Sequence, residues 1–160
     1  MAWLFPWLLF LHVLGAIVAF GPTFAFSIGG AMGGAEPQHA NFATRVTQAI
    51  TSRRVLPIGA TLPITGLAMI AVVGINPFER PNWWLLLGIV LYLIVYSYGF
   101  FVQHKITDRV IELSSSPPPP GASGPPPELM ALVKRIQQGG MFMGLTLIVI
   151  IFLMVVKPQI

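Results

Sequence analysis

No charged side chain occurs from Met1 to Ala35, and three more apolar runs of spanning length follow, at about Leu56 to Ile75, Trp83 to Val102 and Gly140 to Val156. A bilayer's hydrocarbon core takes roughly 20 apolar residues of helix to cross. The first run supplies such a span from about Leu4 to Ile28, so four crossings are expected. The expected fold is therefore all-α: a polytopic membrane protein, one four-transmembrane-helix bundle over residues 1–160, with the lipid bilayer as its first partner. A secretory signal has a positively charged leading region and a shorter apolar core. The first run has neither and reads as a retained span. Gly140 to Val156 is the shortest run, but Leu129, Leu132, Val133 and Ile136 share one helical face opposite Lys134 and Arg135 and extend it backwards.

Composition narrows the function by exclusion. With 55% hydrophobic and 9% charged residues and a mean hydropathy of +0.79, the chain lies well outside the soluble range. Its 160 residues leave no room for a separate soluble catalytic domain. The net charge of +4 comes from basic residues flanking the spans, so it signals topology rather than nucleic-acid binding. The absence of cysteine excludes disulfides, thiolate catalysis, cysteine-ligated clusters and thioether-linked haem.

Arg45, Arg53 and Arg54 lie in the first loop, and Lys105, Arg109, Lys134 and Arg135 in the third; only Arg80 and Lys157 fall on the opposite side. A bias of seven basic residues to two puts both long loops in the cytoplasm and both termini outside. Trp3, Trp7, Trp83 and Trp84 gather at the expected outer interface, as an aromatic belt does. In the first loop, Phe42, Val46, Ala49 and Ile50 recur at helical spacing, which predicts an interfacial or extended cytoplasmic helix. Ser114 to Pro127 predicts an extended polyproline linker. Pro22 and Pro63 should kink the first two helices, with nearby hydroxyls satisfying the freed backbone groups. The spacings Gly29/Gly33, Gly30/Gly34 and Gly140/Gly144 predict close helix contacts, with a homo-oligomer or a membrane-complex partner as one use of them.

His12 is the sharpest functional clue, because an ionisable residue in hydrocarbon faces the bundle interior and marks a ligand, a proton route or a polar helix contact. It lies roughly 12 Å below the outer end of the first helix by helical rise. Gly15, Ala16, Ala19 and Thr23 continue its face. Such a stripe admits a flat macrocycle or the close approach of another helix, and both uses stay open. If haem b binds, His12 is the candidate iron ligand, Gly15, Ala16 and Ala19 the candidate ring face, and Arg80 the partner of a propionate. Met69 and Tyr92 are the candidates near the far side of the iron. His104 lies on the order of 18 Å deeper than His12 and His39 falls in the cytoplasmic loop, which argues against two histidines on one iron. No acidic residue lies in any span, which disfavours ion transport.

The run Phe10-Leu11-His12-Val13-Leu14-Gly15-Ala16, then Arg53-Arg54 with Pro57 and Thr65-Gly66-Leu67, resembles the DUF2269 family of bacterial integral membrane proteins. More remotely it is similar to copper-resistance D proteins and to four-helix haem-bearing protoporphyrinogen oxidases. The resemblance covers the first two helices best, and it implies a cytoplasmic membrane location and a haem-ligand role for His12. The oxidase-type relatives carry a lysine in the third helix, whereas the first lysine here is Lys105 at that helix's inner end. That departure argues against an oxidase activity. The alternative is a non-enzymatic structural, transport or assembly subunit with His12 as a packing contact.

Overall fold

The computed structural model describes residues 2–115 and 124–159, so most of the linker expected over Ser114 to Pro127 lies outside the described residues. Four helical rods form. The first joins α1 (Phe5–Phe20) to α2 (Phe26–Ala35) through a tighter 3-10 stretch, Gly21–Ala25, at Pro22. The second joins α3 (Pro37–Ile50) to α4 (Leu56–Val73) through a π-helical turn, Thr51–Val55. A second π-helical turn, Gly99–Gln103, links α5 (Trp83–Tyr98) to α6 (His104–Ser115), and α7 (Pro127–Val156) runs unbroken. All four rods are long and apolar enough to cross a membrane, and no strand occurs among the described residues.

The rods have 30 to 37 residues, or about 45 to 55 Å, against a hydrocarbon core of about 30 Å. They therefore continue as helix well past the apolar runs, and what the sequence presents as loops between the first two and last two spans is largely helical. α2 and α3 turn back on each other at Glu36, where Pro37 opens α3 at a position that needs no backbone donor. Gly33 lets this hairpin close, because a Cβ there would lie 3.2 Å from the Ala40 Cα.

Packing divides the bundle by depth. α1 lies along α4, and α5 along α7, while α4 and α5 touch only lightly. At the basic end α3 packs on α6, and α6 on α7, joining the two pairs. The other end carries the tryptophans. There the Arg80 guanidinium sits 4.6 Å over the Trp83 ring and the Lys157 ammonium 5.7 Å over Trp84, so the 74–82 loop and the end of α7 share one face of the membrane with the start of α1. Gly74, at φ 75°, closes α4 in the left-handed conformation that glycine adopts without strain.

Pro63 stays inside a continuous α4. Its missing N–H leaves the Gly59 carbonyl without its helical donor. The expected local hydroxyls do not serve that carbonyl: Thr61 donates to Ile58 at 2.7 Å, and Thr65 lies 3.1 Å from the Leu62 oxygen. The donor is the Tyr92 hydroxyl of α5, 2.6 Å from the Gly59 oxygen, and Tyr96 reaches Leu56 at 2.9 Å. Gly59 admits them, since a Cβ there would lie 3.1 Å from the Tyr96 ring. Tyr92→Phe should therefore lower stability by about 1 kcal/mol, in the range of intramembrane hydrogen bonds, as read from detergent unfolding. Tyr92→Phe as stable as wild type would show that the carbonyl does not need this donor.

The orientation expected from the basic residues has its own test. Reporters fused after Ile160 or within residues 76–82 should be external, and one placed in Ser114 to Pro127 should be internal. The reverse pattern would put the basic end outside.

Candidate functional site

His12 projects from the middle of α1 onto α4, where its Nδ1 lies 2.8 Å from the Thr65 hydroxyl oxygen. That oxygen is also 3.1 Å from the Leu62 carbonyl, one turn back along α4. When the hydroxyl gives its hydrogen to that carbonyl, it accepts one from the Nδ1–H. The imidazole is then held in the tautomer whose Nε2 carries a free lone pair, the arrangement of a metal-ligating histidine steered by its second nitrogen. Gly66 completes the seat: a Cβ there would lie 3.4 Å from His12 Cε1.

Hydrogen bonds between rods mark relative depth. Thr65 is level with His12, and Gly59 with Tyr92, so Tyr92 lies about 9 Å nearer the basic end than the His12 partner. Its hydroxyl serves Gly59 and its ring stacks on Tyr96 at 5.9 Å. Gln48 is level with His104, about 25 Å by helical rise from Thr65. His104 is thus remote from His12, as the sequence indicates. Met69 follows Thr65 by one turn on the same face of α4, toward the tryptophan end.

The small-residue stripe is filled at Gly15 and Ala19, while Ala16 stays partly exposed. A Cβ on Gly15 would lie 3.1 Å from Leu62 Cδ2, and Ala19 is fully buried. Gly15 and Ala19 let α4 approach α1, so they do not form a bare face for a macrocycle within this chain. Of the proposed haem group, the nitrogen donor fits. The cradle at Gly15 and Ala19 does not, and a ring bound to Nε2 would have to lie elsewhere around His12.

The sequence matches the family described as "Predicted integral membrane protein (DUF2269)" over residues 6–158. The chain belongs to the DUF2269 family. No curated protein and no solved structure matches it. In this DUF2269 chain, the motif Thr65-Gly66-Leu67 that carries the resemblance supplies the two residues on which His12 rests.

A second polar cluster, at the basic end, has no sequence motif. The buried Gln48 amide of α3 donates to His104 Nδ1 at 2.9 Å and to the Asp108 carboxylate, tying α3 to α6. His104 and Asp108, four residues apart on α6, also approach to 3.6 Å. Between the last two rods, Gln103 donates to the Ile136 carbonyl at 3.0 Å, and its Oε1 is buried beside Gly139. Among the described residues no group of three or more histidine, aspartate and glutamate side chains is placed to hold a metal ion.

Proposed function

We propose that this DUF2269 protein binds haem b in the cytoplasmic membrane, with His12 Nε2 as the group that would hold the iron, in a redox or haem-handling role. The observation that carries the proposal is the contact of His12 Nδ1 with Thr65, 2.8 Å, which orients the imidazole and, when Nδ1 is the donor, leaves Nε2 with a free lone pair. Bound haem would supply one-electron exchange at iron. Thr65 holds the donor ring, Gly66 gives it room, and Met69 is a soft donor one turn away. Arg80 rests on Trp83 and would have to leave that ring to pair with a propionate.

A second reading is supported by the packing of Gly15 against Leu62: His12 and Thr65 then form only an interhelical hydrogen bond in a structural, transport or assembly subunit. Among the described residues, a Cβ added at Gly30, Gly34, Gly140 or Gly144 would meet nothing beyond its own helix within 4 Å, a surface that a second copy or a membrane partner could cover. An absorption spectrum separates the two readings. Protein purified after haem-supplemented expression should show a Soret band that shifts on reduction. A colourless, fully folded wild type would leave the packing reading standing alone.

A further inference from the structure

The basic end holds a groove of about 550 Å³ between α3 and α6, lined among others by Arg45, Val46, Ala49, Arg53 and Ile111. No acidic side chain lines it. Among the described residues the ion pairs involve Glu36, Asp108, Glu112 and Glu128, and none reaches Arg45 or Arg53. Arg109 is the contrast: Glu112 at 2.8 Å and Glu128 at 3.2 Å satisfy it and push its pKa up. Two exposed guanidiniums thus share one concave surface without a counterion among the described residues.

The depth of that surface decides what it meets. Gln48 is level with His104, and the rise from Trp83 to His104 is about 31 Å, close to the hydrocarbon thickness. With Trp83 in the aromatic belt, Gln48 sits at the opposite hydrocarbon boundary. Arg45 then lies about 5 Å beyond that boundary and Arg53 about 8 Å inside it. A long arginine stem brings the second head back toward the polar layer. Arg45 therefore stands in the layer where lipid phosphates lie, and the Arg53 head reaches the lower edge of that layer.

We propose that the α3–α6 groove binds the phosphodiester headgroup of an anionic phospholipid, with Arg45 and Arg53 as its paired cations and Val46, Ala49 and Ile111 against the glycerol carbons. A phosphate is matched by guanidinium donors in bidentate geometry, and the membrane position supplies the lipid as the source.

Native mass spectrometry of the full chain, released from detergent with phosphatidylglycerol and phosphatidylcholine at equal concentration, tests this. Wild type should retain phosphatidylglycerol selectively. Each of Arg45→Gln and Arg53→Gln should weaken retention about fivefold, and the double variant roughly 30-fold, from the surface contribution of one basic residue. Arg109→Gln, already paired with carboxylates, should leave it unchanged. Both groove arginines are exposed, so thermal unfolding of the variants should match wild type and show that lost binding is not lost fold. Equal retention of the two lipids, or undiminished phosphatidylglycerol on the double variant, would overturn the site. Inorganic phosphate or glycerol phosphate binding as tightly as the lipid would overturn the lipid as its occupant.

Discussion

His12→Ala should purify with less than a tenth of the wild-type haem, while His104→Ala retains it in full. The first variant removes the only imidazole at the level of Thr65, and the second removes one that is engaged with Gln48 about 25 Å away along the rods. Thr65→Val keeps the ligand but removes its orienting partner, so haem affinity should fall 10- to 100-fold, the range for losing an outer-shell contact of a metal ligand. If His12 is only a helix contact, none of the three variants changes the spectrum. His12→Ala and Thr65→Val then each cost about 0.6 to 2 kcal/mol of stability. A haem-replete His12→Ala protein would remove His12 from any account of the cofactor.

Gly139→Val should destabilise the last two rods sharply, by about 3 kcal/mol, at the upper end of what overpacking commonly costs. A Cβ at Gly139 would collide with the Gln103 carboxamide and the Tyr98 hydroxyl and stand 3.1 Å from Tyr98 Cε1. The aromatic ring is itself packed edge-on against Phe142, with centroids 5.5 Å apart. Gly140→Val provides the control. It follows in sequence, but a Cβ there would meet none of the described residues beyond its own helix within 4 Å, so the new side chain enters open space and should change stability by less than about 1 kcal/mol. Equal losses for the two variants would show that helix propensity, rather than the α5–α7 approach, sets the cost. A sharp loss confined to Gly140→Val would point to a partner on that open face.

These two glycines illustrate what sequence spacing reveals. Long apolar runs report the hydrophobic environment directly, so the four-rod fold is legible from residues alone. The charge bias and tryptophan positions likewise mark the two ends. A GxxxG spacing reports only that one helix face is small; it does not say which neighbour fills it. Gly140 and Gly144 match that spacing yet face open space, whereas Gly139, outside the pattern, admits Tyr98 and Gln103. The stripe at Gly15 and Ala19 has the same ambiguity, and α4 is the neighbour that fills it.

His12 stands out because a histidine in an uncharged apolar run is costly to bury. Its partner is less legible, since Thr65 looks like a hydroxyl recruited to compensate for Pro63. The structure exchanges those roles: Thr65 receives His12, and Tyr92, from another rod, serves the carbonyl that Pro63 leaves free. Such pairings depend on the depth register between helices. Register is set by the sum of their packing and is not encoded in either helix alone. Gln48 is hidden for the same reason, a glutamine in a polar stretch whose burial becomes evident only when α6 lies against α3.

The most direct test of the haem assignment is the Soret absorbance of His12→Gly reconstituted with haem in lipid nanodiscs, with and without added imidazole. Removing the side chain vacates the donor position while Thr65 and Gly66 remain to seat a free imidazole ring. The variant should show little bound haem alone and recover a saturable, protein-associated Soret band when imidazole is added. Haem bound equally with and without imidazole, at the wild-type level, would contradict His12 as the iron ligand.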